Sequence, residues 1–171
     1  KVKLIDANSQ GYREKLKELT DYPLFLYVKG KELKKGLNDE RRNIAVVGTR
    51  KVTKFGKSAC EKIVRELLEY DVTLISGLAE GIDTVALSAS VEKDGSAIAV
   101  VGSGLDIVYP YENKILWEKI SENGILISEH PLGTKPLKWN FPKRNRIIAA
   151  LSDGILIAES FKSGGALITA E

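Results

Sequence analysis

Hydrophobic positions along the chain alternate between two periods. Unbroken apolar runs of four or five residues are followed by longer stretches in which apolar residues recur at helical spacing. Ile44–Val47 is the first run of the main repeat, and it enters Gly48-Thr49-Arg50. Gly56–Tyr70 then predicts a helix, with Cys60, Ile63, Val64, Leu67 and Leu68 on its apolar stripe. Val72–Ser76, Ala97–Val101, Ile125–Ser128 and Gly154–Ala158 read as further strands. Helices are predicted over Ile82–Lys93, over Glu112–Asn123, and from Phe141 or Asn145 to Leu151. Ala86, Ala89 and Ser90 are small, so the second helix should pack closely. Unbroken apolar runs suit strands buried on both faces. Strands alternating with helices therefore predict an α/β, extended Rossmann-like fold: a mostly parallel sheet with helices on both faces. Strand order is not readable, and a first half ordered 3-2-1 is the default.

Residues 1–43 are patterned differently. Lys1–Ile5 alternates polar and apolar residues; Tyr12, Leu16 and Leu19 share one helical face; Pro23 stops it. Leu24–Val28 is a short apolar run, and Glu32–Asn43 reads as a polar connector or short helix. This segment is expected to pack on the core as an extension, with residues 44–171 as the main domain. A helix opens near Gly165 and reaches Glu171 without a cap, so the main domain reads as truncated at its carboxyl end.

In a parallel sheet the turns after the strands share one edge, where ligands bind. Gly48, Thr49, Ser76, Gly77, Gly81, Gly102 and Gly104 are expected to frame that crevice. Their backbone N–H groups, with helix N-termini, could hold phosphate oxygens. A dinucleotide fingerprint is absent: the first turn has one glycine, and the second strand ends in Ser76 rather than an acid. No GxxxxGK[ST] occurs. The plainer reading of each glycine is a tight strand-to-helix turn.

Composition narrows the chemistry. The net charge of +3 is too small to imply nucleic acid by itself. Lys1–Asn43 holds eleven Lys/Arg against seven Asp/Glu, and the remainder fifteen against sixteen, so any basic site in the main domain is a local cluster. Cys60 is the sole cysteine, excluding an intrachain disulfide and suiting a reducing compartment. His130 is the sole histidine, so neither a thiolate–imidazole metal site nor a serine or cysteine triad is supported. No metal and no cofactor are expected. Asp83, Asp106, Glu112 and Glu129 could gather around Mg²⁺, but Asp83 more simply serves the first turn of its helix and Asp106 its own turn.

Lys135–Arg146 changes the picture. It carries Lys135, Lys138, Lys143, Arg144 and Arg146, with Trp139 and Phe141 between them, and no acidic residue lies between Glu129 and Asp153. Cations meet phosphates and rings stack on unpaired bases, the requirement of a single-stranded nucleic-acid site. The alternative is a solvated loop anchored by its two rings.

Several segments together resemble the DNA-processing protein A family, also called Smf, of bacterial competence proteins. They are Val47–Arg50; Ser76–Asp83; Gly102–Asp106 with Tyr109-Pro110 and Glu112-Asn113; Ser128-Glu129; Phe141–Ala149; and Ser163–Ala170. The resemblance covers roughly Leu24 to the end. It implies a Rossmann-like domain that binds single-stranded DNA, loads the RecA recombinase during natural transformation, dimerises, works in the cytoplasm and has no agreed enzymatic activity. It also implies DNA contacts at Arg50, Gly133, Lys138, Phe141, Lys143, Arg144 and Arg146. Arg50 and Lys138 would meet phosphates and Phe141 a base; Asn145 would position the loop; Ser163, Gly164 and Gly165 would frame the pocket floor. Two positions depart from the family pattern: Glu80 stands where arginine is common, and Leu87 where histidine is common. In the family, another strand and a glycine-proline turn normally follow the pattern that stops at Glu171.

Three readings are therefore carried forward. The first is a non-enzymatic single-stranded DNA binder that does not enter a membrane. The second is a small-molecule nucleotide sensor or hydrolase using the same glycine-lined crevice. The third is a recruiting module whose partner is another protein.

Overall fold

The computed structural model describes residues 1–30, 37, 41–93, 96–161 and 165. Most of the Glu32–Asn43 connector, Ser163, Gly164 and the helix expected after Gly165 lie outside the described residues. Seven strands form one sheet: β1 (Lys3–Asp6), β2 (Phe25–Gly30), β3 (Arg42–Gly48), β4 (Val72–Ser76), β5 (Ser96–Val101), β6 (Ile125–Ser128) and β7 (Gly154–Glu159). Four α-helices accompany them: α1 (Lys54–Leu67), α2 (Ile82–Glu92), α3 (Lys114–Asn123) and α4 (Asn140–Leu151). The Tyr12–Leu19 helix expected from spacing is a shorter 3-10 turn, Glu14–Glu18, and a second such turn, Tyr111–Asn113, precedes α3.

The sheet order is β1-β2-β6-β5-β4-β3-β7. β6 through β7 are mutually parallel, while β2 is antiparallel to both β6 and β1. The α/β, mostly parallel expectation is borne out, and β5-β4-β3 has the default 3-2-1 order. The chain steps from β3 through β4 and β5 to β6 in one direction. It then returns through α4 to place β7 on the far side of β3. That reversal puts a topological switch point between the carboxyl ends of β3 and β7, where open α/β sheets leave a crevice.

The apolar runs divide their side chains between two layers. Val46, Leu74, Ala97, Ala99, Val101 and Leu126 face α1, α2 and α3. Ala45, Val47, Ile75, Ile98, Val100 and Ile127 face α4 and the 3-10 turn around Leu16. α2 is buried nearly all round, which its Ala86, Ala89 and Ser90 permit. On α1, Cys60 and Val64 are buried, but Ile63 of the expected stripe is 38% exposed. The N-terminal strands extend the sheet at β6. Their segment is tied to the far end of α4 by Arg13 and Lys15, both within 3.1 Å of Asp153. Among the described residues no helix is long and apolar enough to cross a membrane.

Candidate functional site

A cleft of about 310 Å³ opens at the switch point. Gly48, Thr49 and Arg50, after β3, form one wall; Lys138, Phe141 and Asn145, entering α4, form the other. Asp83 and Arg144 lie at its base, and Ser160, Phe161 and Gly165 close one end. The second wall is fixed by α4. Ile147, Ile148 and Leu151 are buried against the sheet. Pro142 lies in the first turn, where its missing N–H removes no helical bond. Asn140, buried at the helix start, donates from Nδ2 to the Gly102 carbonyl at 2.9 Å. Gly102 in turn lets the Phe141 ring approach: a Cβ there would lie 3.2 Å from Cδ1. The exposed Arg50 guanidinium sits 5.3 Å from the centre of that ring, and Tyr109 packs beside it at 5.5 Å between centroids.

Arg144 is not a free phosphate contact. It is 5% exposed, and its Nη1 donates to the Gly77 carbonyl at 2.6 Å and to the Val100 carbonyl. Its charge faces Asp83, also buried, which accepts from Gly77 N at 3.1 Å and Ala79 N at 3.3 Å. Burial pushes the Asp83 carboxyl up, against the pull of Arg144 and the two amides. Burial likewise brings Arg144 down to about 10, with Asp83 opposing. At neutral pH the guanidinium keeps its charge, and its donors hold the first half of α4 against the turn after β4 and the end of β5. A side chain at Gly77 would occupy the space of that guanidinium.

The other cations of the basic segment divide into answered and unanswered. Arg146 Nη2 lies 2.6 Å from Glu129 and Nε 2.7 Å from Asp21, so it joins the N-terminal segment to α4. That hydrogen bond from Arg146 is also what holds the Asp21 carboxyl below its usual range. Lys143 reaches Glu129 at 3.9 Å and stays half exposed. Arg50, Lys135 and Lys138 are exposed and have no ion-pair partner among the described residues. Trp139 is 69% exposed beside Lys138. Gly133 has a positive φ of 82° and donates its N–H to both Asp106 oxygens at 2.9 Å, which braces the loop before Lys135. His130 is half-buried, and desolvation pushes its imidazole down.

Several amides of the glycine turns are engaged by the chain itself and not open to an anion: Thr49 N with the Glu159 carbonyl at 2.7 Å, Gly77 N with Asp83, and Gly104 N with the Thr134 carbonyl at 2.9 Å. At the start of α1, Thr53 N donates to the Glu159 carboxylate at 2.9 Å. The exposed side-chain charges lining the cleft are those of Arg50 and Lys138. Ser76 is buried, its hydroxyl donating to the Val46 carbonyl at 2.6 Å, so it braces the crevice from below. Gly81, with φ of 80°, packs against the Thr49 carbonyl. Asn145 lines the cleft and reaches toward the Gly165 carbonyl at 3.5 Å.

Of the two departures, Leu87 is fully buried in the α2–α3 layer and cannot meet a ligand. Glu80 is exposed at the rim of the smaller hollow between Arg50 and Tyr109. Phe161 and Tyr109 were not singled out as site rings from sequence, because neither lies in the basic segment. Among the described residues no group of three or more His, Cys, Asp or Glu could hold a metal ion.

Comparison with known proteins places this geometry. The family described as DNA recombination-mediator protein A matches residues 3–171. The chain is 39% identical over 169 residues to DNA processing protein DprA of Bacillus subtilis, covering 99% of this chain and 56% of that protein. It is 43% identical over 157 residues to the Streptococcus pneumoniae protein of the same name, covering 91% of this chain and 54% of that protein. The X-ray structure of DNA processing protein A from S. pneumoniae superposes with a TM-score of 0.91 at 39% identity, over 99% of this chain and 58% of that one. A structure of DNA processing protein A from Helicobacter pylori, concerned with its single-stranded DNA binding mode, gives 0.87 at 28% identity, over 99% of this chain and 74% of that one. The chain thus spans between a third and little more than half the length of the curated relatives it matches. With its motifs, its sheet order and its full-length match in agreement, the chain belongs to the DprA/Smf family of DNA processing proteins.

Proposed function

We propose that this chain binds single-stranded DNA in the cleft between Arg50 and Lys138, without enzymatic chemistry. One observation carries the reading: two exposed cations with no carboxylate partner flank an aromatic ring at the switch point of the sheet. Arg50 and Lys138 take phosphates, and the Phe141 ring takes an unpaired base. A duplex keeps its base faces stacked internally and gains nothing from the ring. Lys143 adds a weaker contact, since Glu129 shares its charge. Gly133, whose N–H is held by Asp106, leaves open space where a strand can pass. Family membership supports the same substrate and, beyond it, a cytoplasmic homodimer that hands the strand to the RecA recombinase. The nucleotide-sensor reading is less well supported, because the Gly77 amide it would use is engaged by Asp83.

The test is a titration with single-stranded and duplex DNA of equal length at two salt concentrations. The single strand should bind preferentially, with affinity falling as salt rises. Arg50→Ala and Lys138→Ala should each flatten the salt slope by about 0.7, the value per phosphate contact on a single strand. Equal binding of both forms, or an isotherm unchanged by Arg50→Ala, Lys138→Ala and Phe141→Ala together, overturns the assignment.

A further inference from the structure

The cleft ends beside α1, and the first turn of that helix carries groups the cleft does not use. Lys51, Lys54, Phe55 and Lys57 follow Arg50 in close succession, with no acid before Glu61. Lys51 and Lys54 are exposed, and neither has an ion-pair partner among the described residues. Lys57 reaches Glu61 only at 3.9 Å. Phe55 is 83% exposed, the most exposed of the large apolar side chains described. Lys54 and Lys57 stand where helix physics disfavours them, and Lys51 lies just before that turn. The N-terminus of a helix carries partial positive charge and prefers acids, yet the first turn of α1 has none. The carboxylate that does approach, Glu159, is held by the Thr53 amide rather than by the lysines. That same bond fixes the turn beside the cleft, because Ser160 and Phe161, next along the chain, line it. Placement against local preference, with a bare ring and unanswered cations, marks a surface kept for a ligand.

We infer that a single strand leaving the cleft continues across the first turn of α1, with Lys51 and Lys54 on successive phosphates and Phe55 stacking an unpaired base. The inference rests on the cleft reading above. The occupant's chemistry follows from the surface: spaced cations demand a polyanion, and the ring between them demands exposed base faces.

The test compares oligothymidylates of ~4 and ~15 nucleotides, the range a single compact site covers, on the 171-residue chain. The variants are Arg50→Ala and the triple Lys51→Ala/Lys54→Ala/Phe55→Ala, whose side chains are all exposed. The triple variant should bind the short oligomer as the parent does. It should bind the long one at least about tenfold more weakly, with a salt slope flatter by about 1.4 for two lost phosphates. Arg50→Ala should weaken both lengths. A 2-aminopurine placed toward one end of the long oligomer should lose its binding-induced quenching in Phe55→Ala. If the triple variant matches the parent at both lengths while Arg50→Ala weakens both, the track is wrong and the cleft stands. Equal weakening of both lengths by the triple variant also overturns the track, since it then acts as a diffuse field. If Arg50→Ala changes neither length, the cleft reading fails and the track with it.

Discussion

Single residues in the basic segment differ in role because their depth differs. Arg144 and Arg50 carry the same group, yet one is buried against two carbonyls and Asp83, and the other stands over a ring in solvent. Removing one member of a buried pair strands the other charge, which costs about 3–5 kcal/mol, while replacing both by apolar groups is far milder. Arg144→Met should therefore lower stability by that amount, and Asp83→Leu/Arg144→Met should recover only part of it, because the Gly77 and Val100 carbonyls and the Gly77 and Ala79 amides lose their partners as well. Urea unfolding of the two single variants and the double variant measures this coupling. The salt slope of DNA binding, taken below the unfolding transition, should stay unchanged in Arg144→Met; a drop of about 0.7 would mean that Arg144 does contact a phosphate. Leu78, fully buried with φ of 57°, is a further local exception, held where Asn113 Nδ2 donates to its carbonyl at 3.0 Å. A non-glycine residue there sits in a left-handed region that L side chains rarely adopt.

At the scale of elements, α4 is the link between core and cleft. Its apolar face is seated on the sheet while its first turn presents Phe141, so a change at its start should reach the binding surface. Asn140→Ala removes the donor to the Gly102 carbonyl and leaves a buried acceptor unpaired, costing about 1–3 kcal/mol. Thermal unfolding should show that loss, and affinity for the single strand should fall as the Phe141 ring loses its fixed position. α1 offers a contrasting test. Thr53 Oγ1 accepts from Gly56 N at 3.0 Å, so Thr53→Ala should cost about 1 kcal/mol through the lost cap. It should leave the preference for single strands intact. Both helix starts fall earlier than the apolar spacing suggests. Apolar spacing does not mark the polar residues that open these helices, Lys54 of α1 and Asn140 of α4.

At the scale of the molecule, the sheet edge and the N-terminal segment are held together by charge as well as by strand pairing. Burial pushes the Asp153 carboxyl up, but the Asn43 amide, Lys15 and Arg13 outweigh it and hold it below 3.8. A carboxyl depressed in the folded state favours folding fully above its ordinary range and loses that contribution as pH falls through its folded value. Stability should therefore decline below about pH 4 partly through this group. Asp153→Asn should be less stable than the parent at pH 7, and the gap should close as pH drops below 3.8. Urea midpoints across that range check it. A gap that stays constant would mean that Asp153 contributes nothing through its charge.

The alternation of apolar runs and helical stretches was enough to determine the α/β class, the parallel strands from β3 to β7 and the edge where the turns after them meet, because each depends on local period alone. The motifs after those strands were enough to determine the family. Tertiary structure decided the rest. It placed β7 beside β3 rather than beyond β6, which creates the cleft, because strand order depends on which face α4 covers. It divided five neighbouring cations into a buried pin (Arg144), two paired to carboxylates (Lys143 and Arg146) and two exposed with no ion-pair partner among the described residues (Lys135 and Lys138), because a charge's availability depends on carboxylates distant in sequence, here Asp83, Glu129 and Asp21. It also engaged several amides of the glycine turns with the chain's own acceptors, which no count of glycines could reveal. Lys51, Lys54 and Phe55 passed unremarked in the sequence as an ordinary helix start. Only the fold sets them beside the cleft, unanswered by any carboxylate and open to solvent.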